Sequence, residues 1–292
     1  MSSLQTQAQQ SPAADRPTSR RPLWAEVWDN RSILWLLTVR DIKARYAGSM
    51  LGVMWNVIHP VLMILIYILI LGSILSGKFG GGGMTRGGYV VHLCAGMIPW
   101  LVFNDVVMRC STTILENASL IKKVAFPEII LHLTVLLNAL FIHFISYSAF
   151  ILILLVMGSW PGAQVLACFG ILAAIALFAL GVGLVVSVLN IYLRDVGQLV
   201  MIGLQFLFWF TPIVYPISLI QSQEGRTMRV LSALIEWNPV MHFTRMSQWM
   251  FGVPEAEFHW ASLGVVAIGP FLALGIGFRI FNRFRRDLLD NI

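Results

Sequence analysis

From position 53 onward the chain alternates long apolar runs with short polar breaks. Six runs, 53–76, 90–108, 129–157, 165–189, 197–215 and 261–281, each approach or exceed twenty residues. A hydrocarbon core of about 30 Å takes about 20 helical residues at about 1.5 Å apiece. Each run therefore predicts a membrane-crossing helix, and the whole predicts an all-α polytopic protein with six spans.

The segments between the runs carry finer signals. In 32–46, Trp35, Val39, Ile42 and Tyr46 recur at helical spacing while Arg40, Asp41, Lys43 and Arg45 lie off that stripe, which predicts a helix lying in the membrane interface. Asp41 and Arg45 stand four apart and can pair on its surface. Its cations serve either as ordinary anchors or to face a phosphate-bearing substrate or a partner. Gly48 and Gly52 form a GxxxG, which permits close helix approach. Pro60 inside the first run should kink its helix, and the adjacent His59 reads as a structural histidine.

The fifth run ends differently. Phe206, Phe208, Trp209, Phe210 and Tyr215 are interrupted by Pro212 and Pro216, so the backbone should break there. The following stretch contains two apolar pieces, 230–237 and 241–251, too short to cross a bilayer. They predict re-entrant or interfacial helices joined by a turn at Asn238 and Pro239.

Composition narrows the class. With 58% hydrophobic and 12% charged residues and a mean hydropathy of +0.78, the chain is too apolar for one soluble core. Its net charge of +6 does not point to nucleic acid, because the basic residues sit at span ends and not along one polar face. Most precede the first run, follow the second or fourth, or end the chain, which predicts both termini cytoplasmic in a multi-pass inner-membrane protein. Residues 1–30 read as a disordered cytoplasmic start with no signal peptide and 31–292 as one transmembrane domain. Cys94, Cys110 and Cys168 read as small packing residues without metal-ligand spacing.

Several chemistries find no support. The run Gly80 to Gly83 lacks the GxxxxGK[ST] of a phosphate-binding loop and reads as a flexible linker. The six histidines show no grouping with carboxylates, so neither a catalytic set nor a metal site is expected and a membrane transferase is disfavoured. Ionisable residues are sparse at mid-span, against a channel or secondary transporter. Asp105 and Arg109 are one turn apart and form either a structural pair or part of a substrate path. The piece 115–127, with Leu120, Ile121, Val124 and Phe126 around Lys122 and Lys123, is too apolar for a solvated loop and should dock on something.

Six stretches taken in order resemble the membrane subunits of ABC-type polysaccharide exporters, which move O-antigen, teichoic acid and related lipid-linked glycans. They are RDIKARYAGSMLGVMWNVIHP (40–60), AGMIPWLVF (95–103), NASLIKKVAFP (117–127), NIYLRD (190–195), TPIVYP (211–216) and WNP (237–239). The resemblance implies a homodimer of six-span subunits on two copies of a separate cytoplasmic ATPase. That partner binds ATP and Mg, and this chain holds no cofactor. Carried over by position, 115–127 corresponds to the coupling helix (Leu120, Ile121, Lys122, Lys123, Phe126), 32–46 to the interface helix and 216–251 to an external gate.

Sugar CH faces stack on aromatic rings, and a sliding polymer needs weak, repeated contacts. Tyr67, Trp100, Phe103, Phe206, Trp209 and Phe210 are therefore expected to line a channel at the dimer interface, set against ordinary packing or membrane-interface roles for aromatics. Arg40, Lys43 and Arg45 could receive the carrier diphosphate, or serve topology alone. The alternative cargo is a small hydrophobic drug or a lipid moved by an exporter of the same six-span plan.

Overall fold

Helix is the state of most described residues, and no strand occurs among them. The computed structural model describes residues 23–44, 48–66, 69, 86–123, 126–221, 223, 225–253 and 256–291. Tyr67, Arg45, Val124 and the glycine run 80–83 lie outside the described residues, as does the remainder of the first apolar run apart from Leu69.

Among the described residues, four helices are long and apolar enough to cross a membrane. They are α4 (Arg86–Glu116), α6 (Ile129–Val156), α7 (Cys168–Tyr192, after a 3-10 turn Ala163–Ala167) and α12 (Trp260–Asn291). Helix α4 outruns the predicted 90–108 at both ends. Its polar residues Asp105 and Arg109 do not stop it, because Arg109 is paired with Asp41 of another helix and Asp105 stands beside the same guanidinium. Helix α12 likewise continues through Arg283 and Arg285.

The fifth run behaves differently from a full span. Helix α8 (Val196–Trp209) has 14 residues, about 21 Å. Pro212 has no N–H and its ring clashes with the preceding turn, so the chain leaves the helix before it. For the first run, α3 (Trp55–Ile66) follows a 3-10 turn and remains helical across Pro60. The two short pieces predicted after the fifth run are present as α10 (Arg226–Trp237) and α11 (Pro239–Met250), with α9 (Ser218–Gln221) before them. Asn238 is the joint: its side chain accepts from the Val240 N–H and Pro239 starts α11, an arrangement both residue types favour.

The N-terminal expectations need correction. Residues 23–29 form a helix, α1 (Leu23–Asp29), where a disordered start to residue 30 was expected. Helix α2 (Arg31–Ala44) turns Leu34, Leu37 and Thr38 towards the protein and leaves Trp35 68% exposed. Gly48 and Gly52 have φ of +83° and +48°, and nothing approaches where their side chains would be. Their service is to the turn between α2 and α3, which needs left-handed backbone, and not to helix contact.

Helix α7 lies at the centre, packed on α4 and α12, with α6 against α4 and α7. Small residues let the backbones meet there. Gly181 touches α12 at Ala273 and Gly277, and Gly183 faces Cys110 of α4. The three cysteines are buried. Because α4 runs out as α6 begins, one end of the bundle gathers α1, α2 and the short helix α5 (Ala118–Lys123), and the opposite end gathers α10 and α11.

Candidate functional site

At the α5 end, Asn117 makes the corner. Its side chain donates to the Thr113 carbonyl at 2.8 Å, and its own carbonyl accepts from Leu120 and Ile121 N–H at 3.0 Å each. Helix α4 thus passes into α5 through a hydrogen-bonded turn. Ile121 and Phe126 are buried and Leu120 is half-buried, while Lys122 and Lys123 are exposed. Of the five expected docking residues, two face the chain's own core and the two lysines form the outward surface. Burial of Ile121 and Phe126 fixes how α5 is presented.

Two polar clusters, missed in the sequence, tie this end together. Asp41 of α2 accepts from Arg109 of α4 and from Asn138 of α6. Asp105 lies 3.9 Å from the same guanidinium. Asp41 thus pairs with Arg109, which lies closer to it than to Asp105; its expected partner Arg45 lies outside the described residues. In the second cluster, Arg285 of α12 donates through Nε to Glu128 at 2.8 Å and through Nη1 to Glu26 of α1 at 3.1 Å. Arg285, near the end of the chain, is thus turned inward. The available signal was a buried-type Asn or Glu inside or beside an apolar run, since such a group needs a partner.

The remaining predicted cations stay outside. Arg40 and Lys43 are exposed on α2, where with Leu36, Val39 and Ala44 they line an open groove of about 420 Å³.

The predicted aromatic path divides in two. Trp100 and Phe103 are buried inside this chain. Trp100 lies 5.5 Å from the Phe208 ring and 6.1 Å from Phe103, Phe103 lies 6.0 Å from Phe178, and Phe178 lies 5.5 Å from Phe243. These rings bind α4, α8, α7 and α11 into one core. Phe206 and Trp209, by contrast, are 64% and 61% exposed and share the outer face of α8 with Gln198, Ile202 and Gln205. Phe210 is half-buried at the end of that helix. The structure therefore does not bring the five described aromatics onto one surface.

At the opposite end the chain from Phe210 to Pro216 is irregular, and its backbone groups take partners from surrounding helices, as a low-dielectric setting requires. Tyr89 of α4 donates to the Val214 carbonyl at 2.8 Å. Asn238 donates to Phe210 O at 3.3 Å and to Thr211 Oγ1 at 2.8 Å, and Tyr215 donates to Trp209 O at 2.6 Å. Gln248 of α11 reaches the Pro212 carbonyl at 3.4 Å and that of His92 at 3.2 Å. Nearby, Ser247 donates to Ala95 O at 2.7 Å and Tyr147 to Ser247 Oγ at 2.9 Å. The strings TPIVYP, WNP and AGMIPW thus meet in space. NIYLRD acts at the other end: Asn190 donates to Ser111 O at 2.8 Å and accepts from Gly197 N–H at 2.9 Å, clamping α7 to α4 and to the start of α8.

Over 271 residues the chain is 26% identical to the O-antigen export system permease protein RfbA of Myxococcus xanthus, covering 91% of this chain and 98% of that protein. The permease RfbA of Klebsiella pneumoniae is 27% identical over 258 residues, 87% of this chain and 92% of the relative. The polysialic acid transport protein KpsM of Escherichia coli is 24% identical over 261 residues, covering 87% and 94%. Residues 33–251 match the family described as ABC-2 type transporter. That match opens two residues into α2 and closes with α11, taking in α5, the seamed stretch after α8 and both short helices beyond it, and on that ground the chain belongs to the ABC-2 type transporter family.

Proposed function

We propose that this chain is the transmembrane subunit of an ATP-driven exporter that moves a lipid-linked polysaccharide, an O-antigen or related glycan, out of the cytoplasm across the inner membrane. The carrying observation is that similarity to permeases named for O-antigen export and polysialic acid transport runs along nearly the whole chain. In this reading the subunit works as a homodimer with six spans. The first span continues α3, and the fifth combines α8 with the irregular stretch after it. Both termini are cytoplasmic. Helix α2 lies in the inner interface with Trp35 towards lipid, and α10 and α11 form the external gate.

The subunit has no catalytic role in ATP hydrolysis, which belongs to a dimeric cytoplasmic partner. Helix α5 supports that role, since its apolar side chains are used inward and its lysines project to meet an acidic surface. The α8 face supports the cargo. Phe206 and Trp209 beside Gln198 and Gln205 offer stacking surfaces and hydrogen bonds without an apolar trap. Arg40 and Lys43 supply charge for the carrier diphosphate. Relatives named for glycans favour this cargo over small hydrophobic drugs or lipids.

The test is co-expression with the candidate ATPase, purification, and ATP hydrolysis with and without lipid-linked glycan. Stimulation by the glycan-lipid supports the proposal; stimulation by small hydrophobic compounds alone overturns it in favour of the other cargo.

A further inference from the structure

We infer that Asp41 is a positioning residue that makes α2 move with α4 and α5, so that the exposed cations of α2 follow whatever displacement is imposed on α5. The inference rests on the coupling role proposed above for α5.

Three observations carry it. First, the apolar contacts that seat α2 come from Ile33, Leu34 and Leu37, and apolar contact is non-directional and tolerates sliding. Charge-assisted hydrogen bonds are directional. Asp41 makes two such contacts through one oxygen, to donors on two other helices, Arg109 of α4 and the fully buried Asn138 of α6. It therefore fixes the register of α2 along both. Second, the guanidinium is itself held. Its side chain is 24% exposed, and Asp105 stands 3.9 Å away on the same helix. Third, the path from Arg109 to α5 is stiff: two helical turns, about 10 Å, lead to Glu116, and the Asn117 corner follows without a break in hydrogen bonding. Arg40 precedes Asp41 in the chain and Lys43 follows two residues on, yet both are exposed. One short segment of α2 thus has its anion on the core and its cations on the groove.

The experiment uses the assembled complex with its ATPase in lipid nanodiscs. Spin labels are placed at Leu36→Cys on α2 and Glu116→Cys on α4, two exposed positions; the native cysteines are buried. In complexes assembled so that one subunit carries both labels and any second copy carries none, the expected result with native Asp41 is one narrow distance distribution that stays narrow when nucleotide is added. In Asp41→Ala the distribution should broaden at least twofold and glycan-stimulated hydrolysis should fall at least fivefold, with basal hydrolysis unchanged. Asp41→Asn, which keeps the shape and loses the charge, should show the same change to a lesser degree, and it carries the test if the alanine variant does not assemble. A narrow distribution with full stimulation in the assembled variant overturns the inference. A broadened distance in Asp41→Ala, in a complex whose native form shows no glycan stimulation, supports the tie and counts against the glycan cargo.

Discussion

Gly181 and Gly277 bring the backbones of α7 and α12 into direct contact: a Cβ on Gly277 would lie 2.4 Å from the Gly181 carbonyl oxygen. The reverse holds too, since a Cβ on Gly181 would lie 2.3 Å from the Ala273 carbonyl carbon. No rotamer relieves a clash with backbone. Gly181→Ala and Gly277→Ala should each force the helices apart and cost about 1–3 kcal/mol. A fall in the thermal midpoint of the detergent-solubilised protein checks this, and an unshifted midpoint refutes the contact.

Asn238 should be irreplaceable even by Asp. Asn238→Asp keeps the acceptor for the Val240 N–H but loses the donor to Phe210 O and Thr211 Oγ1. Leaving a buried carbonyl unpaired costs about 1–3 kcal/mol. Limited proteolysis between 210 and 225 should be faster in this variant than in the native chain.

Two tryptophans read alike in sequence should separate in experiment. Trp100→Ala removes a buried ring and should destabilise by about 3 kcal/mol. Trp209→Ala removes an exposed one and should leave the melting midpoint unchanged while lowering glycan export several-fold. Equal effects on stability would contradict the division of the aromatics described above.

Lys122→Glu with Lys123→Glu reverses the exposed charge of α5 without touching Ile121 or Phe126. The subunit should fold normally yet fail to retain the co-expressed ATPase in co-purification. Retention of the ATPase with normal stimulation would move the docking surface elsewhere.

Glu128→Ala strips Arg285 of its nearest carboxylate, leaving the more distant Glu26. Losing a half-buried charged hydrogen bond while Glu26 remains costs about 1–3 kcal/mol, here at the junction just after α5. The expected readout is a lower melting midpoint that Glu128→Gln, able to accept one hydrogen bond, restores in part.

Apolar run length made the four long helices legible in sequence, and Asn238 with Pro239 placed the α10–α11 joint. Helix limits were less legible, because polarity was read as an exit from the membrane. The predicted second span stops just before Arg109, yet α4 continues past it since Asp41, 68 residues away in sequence, supplies a partner. Still longer separations, 157 and 259 residues, hide Glu128 and Glu26 from Arg285. The Trp35 stripe of α2 was legible as an apolar face, but the second apolar face, Ile33, Leu34 and Leu37 against the chain's own core, was not. The aromatics could not be sorted from sequence, as a ring says nothing of which side of its helix is occupied.

Tyr89, Asn238 and Gln248 all fasten the same few residues beyond α8, each through a different carbonyl or hydroxyl. Releasing one strands an acceptor that the others cannot reach, so each tie adds its own cost to opening. Any passage made at this place has to undo all three, and a perturbation that frees only one leaves it shut.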